Sequence, residues 1–240
     1  MRWVTDRIGR FPQRPHYEPR ELDHECEQIV SGFLKNKYGE VRFPISTDDI
    51  TILIEQDTSH LDLYADLSSE GQDIEGVTDF FPDKRPAVRI AKDLSLQNWR
   101  ENRLRTTLMH EYGHVKLHAF LWDFNRPRLF VDSEFVKGPR CRRETIVNAS
   151  KTDWMEWQAG YASGSLLMPI TGLQGLIGAA LREWGLYKYV TVDSDEARTL
   201  INRIVETFNV SSEAARVRLS QLGYLSGMAQ GASIFDKQEV

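Results

Sequence analysis

The chain has 240 residues, of which 41% are hydrophobic and 27% are charged, values that are ordinary for a globular protein. This length suits one compact domain with elaborations, and it allows a core to be buried without disulfide bonds. The formal net charge of -5 gives no overall attraction to nucleic acid or to an anionic membrane. We therefore expect no membrane partner and no direct contact with nucleic acid.

The cysteine content points to a reducing compartment. Cys26 and Cys141 are the two cysteines, too few for a disulfide framework. The first residues lack the apolar stretch of a signal peptide, and no run approaches the roughly 18 apolar residues of a membrane span. These features predict a cytoplasmic protein.

The first half of the chain mixes helices and strands. Residues 1–20 are rich in arginine and interrupted by proline, which predicts a flexible arm. Apolar residues then recur at helical spacings up to about residue 38, and Ser46 is a candidate N-cap for a second helix. Short strands are predicted at residues 60–65, 77–82 and 87–91. Strands that follow helices without strict alternation favour an α+β fold.

The second half is predicted to be mostly helical. A long helix is expected over residues 95–120, followed by an irregular insertion over residues 122–152. Further helices are expected over residues 153–167, 171–183, 193–208 and 211–222. The predicted organisation is the arm (1–20), a main domain that contains the insertion (21–185) and a C-terminal helical segment (186–240).

One motif in the long helix carries metal chemistry. His110, Glu111 and His114 form the pattern H-E-x-x-H. Because residues four apart lie about one helical turn from each other, both imidazoles project from one face and can bind a single ion. The Glu111 carboxylate does not bind the metal, but it can take a proton from metal-bound water. The pattern predicts a zinc site with His110 and His114 as ligands and Glu111 as the catalytic base.

A third histidine, His118, continues the four-residue series. It is rotated by about 80° from His110 around the helix axis. The extended metzincin pattern H-E-x-x-H-x-x-G-x-x-H is absent, because Phe120 stands at its last position. His118 is therefore predicted to support the site or the core and not to bind the metal.

The third ligand is expected to be a carboxylate, because catalytic zinc usually has three protein ligands and no histidine follows His118. The candidates are Asp123, Asp132, Glu134, Glu144, Asp153, Glu156 and Glu183. Glu156 is favoured because small residues follow on its helical face, which lets this helix approach Gly113 of the metal-bearing helix. These small residues are Ala159, Gly160 and Ser163.

The segments around these residues are similar to the ImmA/IrrE family of metallo-endopeptidases. RTTLMHEYGH, which ends at His114, resembles the metal motif of the family, and EWQAGYASGSLLMP, which begins at Glu156, resembles its second motif, E-x-x-A…A…LLMP. A weaker likeness covers residues 208–223. The resemblance extends over about residues 21–224.

The resemblance implies a zincin-like core of the gluzincin type, with a small β-sheet, an H-E-x-x-H helix and a second helix that provides Glu156 as third ligand. It also implies a zinc-dependent endopeptidase. Members of the family cleave helix-turn-helix repressors, so a repressor of this kind is the implied protein substrate. The insertion and the arginine-rich start depart from the family pattern.

Other functions remain open on the sequence alone. The zinc site could be structural, in a regulator that binds a repressor or a toxin without cleaving it. The C-terminal helices, which carry Arg216 and Arg218, have the outline of a DNA-binding helix-turn-helix. In the insertion, the Cys141 thiolate could take the water position of the zinc, although a packed or free cysteine is the simpler reading.

Some chemical details are also open. Manganese or another divalent ion could bind the same ligands as zinc. An exposed edge of the small sheet is expected to align an extended substrate by main-chain hydrogen bonds. Candidates for stabilising a tetrahedral oxyanion, with core packing as the alternative role, are Tyr112, Tyr161, Tyr187 and Tyr189.

Overall fold

The computed structural model describes residues 1–71, 73–124, 140–142 and 153–227. Within these ranges the protein is a mixed α+β fold, in which helices predominate and the strands form small sheets. The α+β class predicted from the sequence is thereby confirmed.

The described chain begins with an antiparallel hairpin of β1 (Arg2–Thr5) and β2 (Gln13–His16). Phe11, in the connecting loop, is 5% exposed because its ring packs edge-on against Trp122 and Trp154. The composition of residues 1–20 predicts a flexible arm here. The structure instead has a hairpin whose loop is anchored by an apolar side chain.

Two helices follow the hairpin. Helix α1 (Pro19–Tyr38) has proline at its first position and ends at Gly39, whose φ of 80° suits glycine. Helix α2 (Thr47–Asp57) begins after Ser46, whose side-chain oxygen accepts a hydrogen bond from the backbone of the first turn. The N-cap predicted from the sequence therefore begins this helix.

Asp49, in the first turn of α2, is a buried carboxylate that joins α2 to α1. It accepts hydrogen bonds from Lys37 Nζ at 2.5 Å and from the Tyr38 hydroxyl at 3.0 Å. Burial by itself raises the pKa of Asp49, but the hydrogen bonds from Lys37, Ser46 and Tyr38 outweigh burial. Its pKa therefore lies below the ordinary value.

The main sheet has four described strands, in the order β3-β5-β4-β6. They are β3 (His60–Ala65), β4 (Ile74–Asp79), β5 (Ala87–Ala91) and β6 (Arg140–Arg142). Strand β3 is parallel to β5, whereas β4 is antiparallel to both of its neighbours. The first and third predicted strands match the structure, and the second begins at Ile74 instead of residue 77.

Helix α4 (Glu101–His118) carries the H-E-x-x-H motif and lies between the sheet and α6 (Trp154–Leu167). The predicted helix over 95–120 is divided, because α3 (Lys92–Ser95) and a 3₁₀ turn precede α4 and α5 (Phe120–Phe124) follows it. Helices α4 and α6 approach closely at Gly113, where an added Cβ would lie 3.1 Å from the Ala159 Cα atom. This close approach agrees with the stripe of small residues in the sequence.

The C-terminal part of the described chain contains three helices and a two-stranded parallel sheet. The helices are α7 (Ile170–Glu183), α8 (Asp195–Phe208) and α9 (Ser212–Gln221), and the strands are β7 (Val190–Thr191) and β8 (Leu225–Ser226). Residues from this part and from the main domain form one hydrophobic cluster that extends from Leu22 to Leu225.

A buried arginine fastens the C-terminal helices to α4. Arg105 is 1% exposed, and its guanidinium donates hydrogen bonds to the carbonyl oxygens of Ile45 at 2.8 Å, Asn209 at 3.0 Å and Phe208 at 3.2 Å. The last two carbonyls lie at the C-terminal end of α8, where a cation is favourable. The position of α8 is therefore tied to the helix that carries the H-E-x-x-H motif.

No single helix in the described ranges is long and apolar enough to cross a membrane. Helices α6 and α7 reach the required length and composition only as a pair that is bent by 63°.

Candidate metal centre

Three side chains from α4 and α6 converge on one buried point. His110 Nε2 lies 3.2 Å from His114 Nε2 and 3.2 Å from Glu156 Oε2. His114 Nε2 lies 3.3 Å from Glu156 Oε1. All three side chains are buried, and one ligand atom from each lies within 4.8 Å of the others. This group of two imidazoles and one carboxylate could hold a metal ion.

The charges in the centre favour a bound cation. Burial by itself raises the pKa of Glu156, but His114 and His110 outweigh it, so the pKa of this carboxyl lies far below its usual range. Burial by itself lowers the pKa of His114, but the charge of Glu156 outweighs it and raises the pKa. Among the described residues, no lysine or arginine forms an ion pair with Glu111 or Glu156. Two buried carboxylates without such a partner are stabilised by a positive ion.

Glu111 is not one of the three residues of the group, and its carboxylate lies against β4. The Thr78 hydroxyl donates a hydrogen bond to Glu111 Oε2 at 2.6 Å, while Oε1 has no hydrogen-bond partner among the described residues. Burial raises the pKa of Glu111 and outweighs the opposing effects of His114, His110 and Thr78. The result is a buried carboxyl with one oxygen fixed by Thr78 and the other without a hydrogen-bond partner among the described residues.

Gly76 on β4 makes room for this carboxylate. A Cβ atom at residue 76 would lie 2.6 Å from Glu111 Oε1 and 2.9 Å from its Cγ atom. Any side chain at this position would therefore push Glu111 away. Gly76 was not predicted to belong to the site. A glycine in a strand does not indicate which helix packs against it.

His118 does not join the group of three but contacts one member of it. His118 Nδ1 lies 3.0 Å from His114 Nδ1, and His118 Nε2 lies 2.9 Å from Gln158 Oε1. The Gln158 amide nitrogen donates a hydrogen bond to the Pro15 carbonyl at 2.9 Å. Burial and the neighbouring His114 hold the pKa of His118 well below its ordinary value. The supporting role predicted for His118 agrees with these contacts, whereas Gln158 and Pro15 were not anticipated.

The other candidate third ligands in the described ranges have different partners. Asp153 is the N-cap of α6 and pairs with Arg10 at 3.0 Å. Glu183 accepts two hydrogen bonds from Arg203, at 2.7 and 2.9 Å. The side chain of Asp123 lies outside the described part of the structure, as do Asp132, Glu134 and Glu144.

The tyrosines proposed for an oxyanion lie in other surroundings. The Tyr112 hydroxyl donates to Asp57 at 2.6 Å, and the Tyr161 hydroxyl donates to Asp23 at 3.0 Å. Both hydroxyls are therefore engaged in the core, the alternative role considered from the sequence. The two exposed candidates are Tyr187 and Tyr189.

The sheet edge beside Glu111 is occupied. Strand β6 pairs antiparallel with β4, so that Cys141 stands opposite Gly76 and Arg140 stands opposite Val77. An exposed edge was expected to receive substrate, but the described edge of β4 next to Glu111 pairs with a strand of the same chain. The Cys141 side chain, considered as a zinc ligand, lies outside the described part.

The chain matches no protein-family model, and no curated protein shows significant similarity to it.

Proposed function

We propose that this protein is a zinc-dependent endopeptidase, in which His110, His114 and Glu156 bind the ion and Glu111 is the catalytic base. The buried group of three carries the proposal. Ligands that surround a tetrahedral zinc at about 2.0–2.1 Å lie roughly 3.3 Å from one another. The distances of 3.2 to 3.3 Å in this group fit that geometry. Zinc is favoured by these ligand types, although manganese could bind the same set.

Three protein ligands leave one position of a tetrahedral ion for water and substrate, as in hydrolytic sites. When bound, zinc supplies Lewis acidity to the water and to the scissile carbonyl. Glu111 Oε1 takes the proton from the attacking water and passes it to the leaving amine. Thr78 holds the other carboxylate oxygen, at 2.6 Å, so the free oxygen keeps a defined direction.

The second candidate is a regulator with a purely structural zinc, which binds a repressor or a toxin and cleaves nothing. Two features weigh against it. Structural zinc sites usually have four protein ligands, and only three side chains meet here in the described ranges. In addition, a structural site has no need for Glu111, and a buried oxygen such as its Oε1, which has no hydrogen-bond partner among the described residues, costs stability.

The third candidate is a DNA-binding regulator that uses α8 and α9. In this arrangement Arg218 would have to reach a phosphate, yet it is 1% exposed and donates a hydrogen bond to the buried Asp23 at 2.6 Å. Helix α8 is also fastened to α4 through Arg105. Both contacts favour a role of these helices in supporting the core.

For the substrate we propose a helix-turn-helix repressor or a similar regulatory protein, on the family resemblance alone. The low cysteine content favours the cytoplasm as the place of action. An extended substrate segment could align with β4 by main-chain hydrogen bonds. Because β6 already pairs with that edge, a substrate strand there would have to displace β6.

The test compares the wild type with Glu111→Gln, with zinc content measured on both. Each is incubated with a panel of helix-turn-helix repressors and, independently, with a library of internally quenched peptides. We expect equal zinc in both proteins and a loss of about 10²–10⁴-fold in cleavage by the variant. Glu55→Gln, at an exposed glutamate, is the matched control and should cleave normally.

Three outcomes are informative. Cleavage that persists in Glu111→Gln would show that Glu111 is not the base. Absence of bound metal in the wild type would remove the proposed centre. Full zinc occupancy without cleavage of either probe would favour the regulator that binds without cleaving.

A further inference from the structure

A chain of hydrogen bonds leads from the candidate metal centre to the N-terminal hairpin. It runs from His114 Nδ1 to His118 Nδ1 at 3.0 Å, from His118 Nε2 to Gln158 Oε1 at 2.9 Å, and from the Gln158 amide to the Pro15 carbonyl at 2.9 Å. His114, His118 and Gln158 are each at most 1% exposed. We propose that this chain is a positioning device that fixes the tautomer of His114 and so presents its Nε2 lone pair to the metal.

The donor and the acceptor of each hydrogen bond in this series follow from the Pro15 carbonyl at its end. The Pro15 carbonyl can only accept, so the Gln158 group that faces it must be the NH₂ group. The Gln158 oxygen then faces His118 and can only accept, which requires a hydrogen on His118 Nε2. The orientation of each group is thus determined by the one before it.

The tautomer of His118 determines in turn which nitrogen of His114 carries hydrogen. His118 is completely buried, and no carboxylate hydrogen-bonds to it within the described ranges, so the neutral ring is favoured. A neutral ring with hydrogen on Nε2 has a bare Nδ1, which accepts a hydrogen bond from His114 Nδ1–H. The remaining nitrogen of His114, Nε2, is left with a free lone pair. That atom is the one that faces His110 and Glu156.

The two histidines of the centre differ in whether their Nδ1 atoms have a hydrogen-bond partner. The Nδ1 atom of His110 has no hydrogen-bond partner among the described residues, so its tautomer is not set in this way. His114 is the ligand whose orientation is determined by the protein. Partners of this kind, which hold a metal ligand from behind, typically contribute about 10–100-fold to metal affinity.

The inference gives the N-terminal hairpin a role in the centre. Pro15 belongs to β2, and the hairpin loop is held by Phe11 against Trp154 on the same helix as Gln158. Trp154 also packs edge-on against the His118 ring, with a centroid distance of 5.4 Å. The arginine-rich start of the chain thereby supplies a backbone carbonyl that ends the hydrogen-bond chain. The inference rests on the proposed metal site but not on peptidase activity.

The experiment uses the full-length protein and zinc alone. Gln158→Met keeps the length of the side chain but removes both hydrogen bonds. We expect its zinc affinity, measured by competition with a chromophoric chelator, to fall about 10–100-fold. Gln28→Met, at an exposed glutamine of α1, is the matched control and should bind zinc like the wild type. Thermal unfolding of the zinc-free proteins verifies that both variants are folded.

A second measurement separates positioning from mere packing. The ¹H and ¹⁵N resonances of the His114 ring in the zinc-loaded protein report which nitrogen binds the ion and whether the other carries a hydrogen-bonded hydrogen. We expect zinc on Nε2 with a solvent-protected hydrogen on Nδ1 in the wild type, and loss of that protection in Gln158→Met. Zinc on Nδ1 in the wild type, or an unchanged zinc affinity in a folded Gln158→Met protein, would overturn the inference. Neither readout requires cleavage, so a failure of the proposed peptidase activity is recognised separately.

Discussion

Gly76 offers a direct test of how Glu111 is placed. In Gly76→Ala the new methyl group would lie 2.6 Å from Glu111 Oε1 and 3.0 Å from its Cδ atom. Ordinary contacts between such atoms begin at about 3.5 Å, so the carboxylate must retreat by roughly 1 Å. The three side chains of the candidate metal centre stand on α4 and α6, and the three atoms nearest to the added methyl group all belong to Glu111. The substitution should therefore displace the base and spare the metal site.

The magnitude follows from these distances. A misplacement of about 1 Å in a catalytic group can cost roughly 10²-fold in rate. The crowding costs about 1–3 kcal/mol of stability, and replacing a strand glycine returns about 0.5–1 kcal/mol. Because the atoms that must move belong to a side chain, we expect the net loss of stability to be at the low end, about 0–2 kcal/mol.

The assay compares kcat/KM, zinc content and the urea midpoint of Gly76→Ala with those of the wild type. Gly175→Ala is the control, because no atom lies within 4 Å of a Cβ at that exposed helical position. It should keep full activity and gain up to about 1 kcal/mol in stability. Wild-type activity in Gly76→Ala would refute the placement of Glu111 against β4, and loss of zinc would show that the strand also supports the ligands.

Three further outcomes are expected. Gly113→Ala should lower the free energy of unfolding in urea by about 1–2 kcal/mol and weaken zinc binding, because the added Cβ meets the backbone of Ala159 at 3.1 Å and α4 and α6 must separate; an unchanged free energy of unfolding would contradict the close approach. Asp49→Asn should cost about 1–3 kcal/mol at pH 7. Because folding lowers the pKa of Asp49, its contribution is present above the unfolded pKa and is lost as the pH falls through the folded pKa. The difference in unfolding free energy between wild type and variant should therefore become smaller towards pH 3. A difference that increases as the pH falls would contradict this reasoning. Burial raises the pKa of Cys26 to about 12, so in a Cys141→Ala protein a thiol reagent should react only as the chain unfolds; rapid labelling of the native protein would show that Cys26 is accessible.

The features that were predictable from the sequence are local ones. The spacing of His110 and His114 places them on one helical face because the α-helix has about 3.6 residues per turn. The candidate N-cap Ser46 located the start of α2, and the helical segments predicted over residues 193–208 and 211–222 match α8 and α9 to within a few residues. Such signals act over a few positions, so they are visible without knowledge of the rest of the fold.

The third ligand was only partly predictable. Seven carboxylates were candidates, and the small residues after Glu156 distinguished it because they allow one helix to approach another. Which helix it approaches depends on packing between segments that are more than forty residues apart. The structure brings Glu156 to both histidines, while Asp153 and Glu183 pair with arginines elsewhere.

The remaining features were decided by tertiary contacts. The N-terminal hairpin was missed because Phe11 is buried by tryptophans more than 100 residues away in the chain. The series of hydrogen bonds to His114 was missed because it ends at the Pro15 carbonyl. Every residue has a backbone carbonyl, so the sequence does not indicate which one accepts this hydrogen bond. The sequence thus specifies the groups that can bind a metal, through helical spacing. Which carboxylate joins them, and which atoms hold them in place, depends on how distant segments pack together.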